Sequence, residues 1–235
     1  MSRFRPGWLP SLLVLVLLPT LAWLGVWQLE RGEHKRELLE RQAARQAAAP
    51  ITVEQLEGLA DAGYRRVWLQ GRFDAAHSFL LDNRTRDGQV GVELLQPFFD
   101  EPSGRWVLLN RGWLPWPDRR VPPQFDTPTQ SLKLAAWVYA PPGRPFVLNR
   151  WMSDGWPRLI NQADPDELWA LLGRRGITRE LRLEPGPTAY RADWPVTTLS
   201  PQQHLGYAVQ WFALAAALLV LFVYFGLHQA RRNAQ

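Results

Sequence analysis

The chain has 235 residues, a formal charge of +5 and a mean hydropathy of −0.24, so it is too polar to be a transporter built from many membrane spans. It has no cysteine, which excludes disulfides, iron–sulfur clusters, thiolate metal sites and cysteine nucleophiles. The cations are nearly all arginine and are interspersed with Asp and Glu, with no recognition motif around them, so no nucleic-acid partner is expected. The arginine excess fits either a compositional bias or a surface suited to anionic lipids and carboxylates.

Two uncharged runs dominate the ends, Trp8–Leu29 and Leu205–Gly226. Each has the length of about 20 mostly apolar residues that a bilayer-spanning helix needs. The first run continues through Trp27, longer than a usual signal core, and Thr20-Leu21-Ala22 is a poor cleavage site, so it reads as an uncleaved anchor. The sequence therefore divides into a cytoplasmic N-terminus (1–7), a first transmembrane helix (8–29), a juxtamembrane helix (30–49), a β-rich domain (50–203), a second transmembrane helix (204–227) and a cytoplasmic C-terminus (228–235). Charge alone leaves orientation open. Arg3, Arg5, Arg231 and Arg232 favour cytoplasmic termini, while Arg31, Lys35, Arg36, Arg41 and Arg45 argue the other way.

Glu30–Ala49 is rich in good helix formers, with Glu33, Arg36, Glu37 and Arg41 at pairing distance, and Pro50 ends it. Val53–Ala62 reads as a second short helix. Strands follow at Tyr64–Phe73, Ser78–Asp82, Val90–Phe98, Trp106–Trp113, Leu132–Tyr139 and Arg179–Glu184, with Asp87-Gly88 as a hairpin turn and Pro117–Pro128 as a loop. Asp164-Pro165-Asp166-Glu167 carries an N-cap, a first-turn proline and an acidic third residue, and so opens a helix to Leu172, ended by Gly173 or Gly176. The predicted fold class is an α+β membrane protein: two transmembrane helices flanking a mainly antiparallel β domain, a small sandwich or barrel with short helices.

On the second span, His204, Tyr207, Ala208, Trp211 and Ala215 share one helical face. An imidazole, a phenol and an indole beside small residues suit a flat apolar ring, and imidazole is an axial ligand of haem iron. The same residues equally suit an aromatic belt at the lipid–water boundary. Gly206, Gln210, Ala213 and Ala217 lie on another face, where small residues would let the spans pack. In an antiparallel hairpin Gln28 and Arg31 come to the depth of His204, and Arg31 suits either a haem propionate or a lipid phosphate. His34 and His77 read as solvated surface residues and His228 as a boundary residue. Arg84 and Arg111 either converge on a carboxylate or make structural ion pairs and turn-closing hydrogen bonds. No arrangement supports nucleophilic catalysis, so an enzyme is not expected.

Several segments together carry a resemblance. They are Leu24-Gly25-Val26-Trp27-Gln28 with Arg31, Tyr64-Arg65-Arg66-Val67, Gly71-Arg72-Phe73, Leu81-Asp82-Asn83-Arg84 with Gly88, Val107-Leu108-Leu109-Asn110-Arg111-Gly112-Trp113, Trp156-Pro157-Arg158 and His204-Leu205-Gly206-Tyr207-Ala208-Val209-Gln210-Trp211-Phe212. In this order and with two spans, they resemble the surfeit-locus family of cytochrome c oxidase assembly factors. The resemblance implies a bacterial inner-membrane protein with its domain in the periplasm and both termini in the cytoplasm. It implies binding of haem a and its insertion into the oxidase catalytic subunit, alongside other assembly factors. It also implies that His204 meets the haem iron; Tyr207, Trp211, Gln28 and Arg31, which the spacing and the hairpin place near it, are then the candidate residues around the cofactor. The alternative is a scaffold that stabilises an oxidase subunit or assembly intermediate without touching haem.

Overall fold

A computed structural model describes residues 6–141, 149–194 and 200–232. Arg3 and Arg5, the far C-terminus and part of the expected domain at 142–148 and 195–199 lie outside the described residues. The chain forms two compact units, a helical one from residues 1–41 with 195–235 and a β unit from 42–194.

The helical unit rests on α1 (Trp8–Ala47) and α4 (Pro201–Arg232). Both are long and apolar enough to cross a membrane, each with a mean hydropathy of 2.2 over its most apolar stretch. The first span and the juxtamembrane helix are one uninterrupted element, as the helix-forming composition of Glu30–Ala49 requires. Its polar part is laced by Arg36–Glu33 (2.6 Å) and Arg41–Glu37 (3.3 Å). Helix α4 begins three residues before His204. Ser200 accepts from the Gln203 amide and Gln203 returns its side-chain oxygen to the Ser200 amide, a capping box with Pro201 in the first helical position.

In the β unit, α2 (Val53–Glu57) is shorter than the sequence suggests. Thr52 and Gln55 close a capping box at its start, and Gly58 follows its last residue. The strands are β1 (Arg66–Phe73), β2 (Phe79–Arg86), β3 (Gln89–Asp100), β4 (Arg105–Pro115), β5 (Leu132–Val138), β6 (Arg158–Ile160) and β7 (Gly176–Leu183). Helix α3 (Pro165–Leu172) lies between β6 and β7, capped by Asp164 and stopped by Gly173 in the left-handed region. The order β1-β5-β7-β4-β3 returns from β3 to β1, closing a five-stranded mixed barrel, and β2 and β6 extend it from β3. Of the two sheet architectures open to the sequence, the barrel is the one formed. Antiparallel pairs dominate, but β4–β7 and β2–β6 are parallel.

Strand β3 closes the barrel by serving two neighbours along one edge. Gln89–Leu95 pairs with β2, and Phe98–Asp100 pairs with β1. The β2–β3 hairpin turns on Asp87 (φ 48°) and Gly88 (φ 76°), the pair of positive angles that lets a two-residue turn match strand twist. The barrel interior holds Val67, Leu69, Phe98, Leu109, Leu181 and their neighbours, with Val53 and Leu56 of α2 joining them. A second cluster places Leu168 and Trp169 of α3 on Phe79, Leu95 and Leu108, and a third gathers Leu80, Val92, Leu94 and Leu114. Both faces of β3 and β4 are thus covered, so they read as continuous buried runs, while β1 keeps the strict alternation of a half-covered strand. Each fully buried Leu or Phe contributes about 1.5–3 kcal/mol.

The Asn110-Arg111-Gly112-Trp113 segment builds the fold. The Asn110 amide donates to Glu93 and Glu180 (3.0 Å each) and its oxygen accepts from the Gly112 amide. Arg111, almost fully buried, donates to the Gln96 side-chain oxygen and to the carbonyls of Asp126 and Thr188, between the rings of Phe73 and Tyr190. Burial holds its guanidinium below the ordinary arginine range. Gly112 (φ 113°) passes so close to Arg191 that a Cβ would lie 2.8 Å from its carbonyl oxygen, and the Trp113 indole donates to the Arg84 carbonyl. Of the alternatives for Arg84 and Arg111, the structural one holds: Arg111 binds carbonyls, and Arg84 lies 3.9 Å from Glu93. Burial raises the Glu180 carboxyl above its usual range, and the nearby Arg182 charge opposes the shift. Arg182 itself stacks on Tyr139 and Trp194.

His77 departs from the expectation of a surface residue. Its Nδ1 lies 2.6 Å from Asp74, which also accepts from Arg174, and its ring meets Trp156 edge-on. Burial pushes the Asp74 carboxyl up, but the His77 and Arg174 hydrogen bonds outweigh it and the net shift is downward.

Two outcomes follow for the β unit. Replacing Arg111 by Met leaves the buried Gln96 side-chain oxygen unpaired, at about 1–3 kcal/mol, removes the hydrogen bonds to the Asp126 and Thr188 carbonyls, and lowers the melting temperature of the purified chain. Asp74 is held below its ordinary value of 3.8, so its stabilisation is present above that pH and drains away as the pH falls through the depressed value. Asp74→Asn therefore lowers the melting temperature at neutral pH, and the gap to the wild type narrows on acidification below about pH 4.

Candidate functional site

The helical unit brings together two of the residues singled out from sequence. His204 Nδ1 lies 2.9 Å from the Gln28 side-chain oxygen, linking the first turn of α4 to α1. The approach is possible because side chains are missing there. A Cβ on Gly32 would stand 3.3 Å from the His204 Cβ and 3.5 Å from the Pro201 carbonyl. Farther along, Gly25 receives the Phe212 ring, which a Cβ would meet at 2.7 Å.

The seam is not the one expected. Gly206 has open space around it, and Gln210, Ala213 and Ala217 are exposed. Ala208 and Ala215 are buried instead. These two alanines are seven residues apart, close to two full turns, so they form a straight small-residue stripe that continues up to His204. Phe212 flanks the stripe and fills the notch at Gly25. The same stripe was expected to offer room beside the aromatic residues, and its alanine portion is occupied by helix packing.

Tyr207 stands about 60° round the helix from His204 and is 47% exposed. Trp211 is half-buried on the same side. Arg31 lies one turn along α1 from Gln28, with its guanidinium 5.8 Å from the Trp27 ring centre, and makes no ion pair among the described residues. Its cation is available to an external anion. A cleft of about 240 Å³ opens beside Gln28 and Gly32 and is lined also by Arg36, Pro201, Gln202 and Leu205. It is below the usual 300–1,000 Å³ of a small-molecule pocket.

Among the described residues, no group of three or more His, Cys, Asp and Glu side chains could hold a bare metal ion. His34 is exposed, and His228 stacks on Tyr224 with ring centres 6.1 Å apart. The Gln28–His204 bond was not legible as a bond from sequence. The signal for it was a lone glutamine near the end of an otherwise apolar run, at the depth of a histidine on the returning helix.

Residues 15–216 match the SURF1 family. The chain belongs to the SURF1 family. An uncharacterized SURF1-like protein of Mycobacterium tuberculosis is 28% identical, covering 97% of this chain and 88% of its own length. A SURF1-like protein of Caenorhabditis elegans is 26% identical, over 95% of this chain and 76% of its own. The cytochrome oxidase assembly protein SHY1 of Saccharomyces cerevisiae is 28% identical over 52% of this chain and 33% of its own length. The recognition made from the ordered segments is borne out.

The helix seam can be tested cleanly because the chain has no native cysteine. A cysteine at Ala208 is expected to resist a membrane-permeant thiol reagent, while one at Gly206 or Gln210 reacts. Adding Gly25→Leu, which collides with Phe212, is expected to open the seam and make position 208 reactive.

Proposed function

We propose that this SURF1 family member is a membrane-anchored assembly factor for cytochrome oxidase, not an enzyme, and that it handles haem a on its way to the catalytic subunit. The observation that carries the haem part is the His204 imidazole. One ring nitrogen is held by Gln28, so the other is left to meet iron, and the exposed Tyr207 phenol lies beside it. Arg31, which makes no ion pair among the described residues, suits a propionate at the edge of such a ring. The assembly part rests on family membership and on the name of the yeast relative.

The setting is a bacterial inner membrane crossed by α1 and α4, with the β unit in the periplasm and both termini in the cytoplasm. Helix lengths support the two crossings and a bacterial relative supports the cell type, while the orientation rests on the family resemblance. The chemistry asked of the chain is transfer. His204 offers one ligand from a partly exposed helical face and Tyr207 and Trp211 cover part of the ring, so release to the oxidase subunit needs no large opening. The oxidase subunit, its other assembly factors and the lipid bilayer are the partners of this reading. A scaffold that never binds haem is the alternative, and the close-packed alanine seam suits it as well.

The test is cofactor retention. Purified from cells that make haem a, the wild-type chain is expected to carry it and His204→Ala to lose most of it, read from the visible spectrum. Wild type without haem, together with an oxidase that still fails to assemble when this chain is deleted, favours the scaffold. Oxidase assembled with full cofactor content in the deletion strain removes both readings.

A further inference from the structure

We propose that Gln28 is a positioning residue: its side-chain carbonyl fixes the proton of His204 on Nδ1 and so presents Nε2 as the iron-binding atom. This rests on the haem-handling reading above and assigns Gln28 a different part in it, acting through His204 and not on the cofactor.

A neutral imidazole carries its proton on one nitrogen only, and the partner of that nitrogen decides which. The Gln28 oxygen, an acceptor, faces Nδ1 at 2.9 Å. Nδ1 is therefore the donor, and Nε2 keeps the lone pair. Histidines that bind metals are generally fixed in this way, by an acceptor on the second ring nitrogen, and the bond also makes the ligating nitrogen more basic.

Two further features show a built arrangement. Gly32, one turn from Gln28, leaves the gap through which the imidazole reaches α1, and any side chain there would press on the His204 Cβ. The Ser200–Gln203 capping box then fixes where α4 starts, and so sets His204 at the level of Gln28 and not a turn away. A polar residue at the end of an apolar span is costly unless paired, and the imidazole is its partner in the structure. A haem ligand held by a single orienting bond, with no carboxylate behind it, is less basic than one backed by Asp or Glu. That suits a carrier that must give its cargo up.

The tautomer can be read without cofactor. The full chain, labelled with ¹⁵N at histidine and held in detergent micelles at about pH 8, where an ordinary histidine is neutral, is compared with Gln28→Leu and Gln28→Glu. His204→Ala identifies the signal. The wild type is expected to show His204 with its proton on Nδ1. Gln28→Leu, close in size but with no acceptor, is expected to shift it to the Nε2-protonated form that free side chains favour, and Gln28→Glu to restore the wild-type pattern. Haem a affinity is then expected to fall about 10–100-fold in Gln28→Leu and to be kept in Gln28→Glu. A wild-type proton on Nε2, or a tautomer unchanged in Gln28→Leu, overturns the positioning role even if that variant melts lower. Wild type with the Nδ1 tautomer but no haem a binding leaves the hydrogen bond in place and overturns instead the reading on which its purpose rests.

Discussion

Two helices can exchange a hydrogen bond between short polar side chains only if their backbones come close, and here they come close only where side chains are absent. Gly25 admits a phenyl ring, Gly32 admits an imidazole, and Ala208 and Ala215 leave a flat stripe between them. Without that seam Gln28 and His204 would each face lipid or water alone. Everything inferred about the histidine follows from this: the tautomer and the exposed flank beside Tyr207. In a bilayer, where lipid is as apolar as the side chains, close contact and polar pairing are what hold a helix pair together. The feature that stabilises the hairpin and the feature that orients the imidazole are the same.

The segments that carry the family resemblance divide by task. Those in the β unit hold strands and loops together. Asn110 bridges two buried glutamates, Arg111 gathers carbonyls from two loops, Gly112 lets a neighbouring chain pass, and Trp113 ties back to β2. Arg66, on the outer face of β1, reaches over β5 to pair with Glu184. Those in the helices make the seam and the candidate ligand. The arginine excess finds a use in this division: Arg111, Arg174, Arg182 and Arg191 each lie over an aromatic ring, where a planar, weakly hydrated cation packs as lysine would not.

Much of this was readable in the residues. The hairpin at Asp87-Gly88, the Asp164-Pro165 helix start and the ends of α1 follow from local chemistry that tertiary context did not override. Strand β6 was invisible because Arg158–Ile160 is three residues long and takes its meaning from parallel pairing with β2, and the first residues of β7 were missed because Gly176 reads as a turn. The packing face of α4 was misread for a similar reason. Glycine and alanine at Gly206, Ala213 and Ala217 are as small as those at Ala208 and Ala215, and only the partner helix, with its notch at Gly25, selects between the two stripes. The placement of His204 beside Gln28 was legible as a depth in the membrane, and the bond itself needed coordinates.

The shared edge of β3 has a consequence for how the barrel behaves as a mechanical object. One strand is in register with β4 along one side, and with β2 and then β1 along the other. A slip of β3 by a single residue against any one of them would turn its side chains over against all three. The three apolar clusters, though separate, each hold residues of β3 and are therefore geared through one common shaft, so a slip at one would be felt in all three.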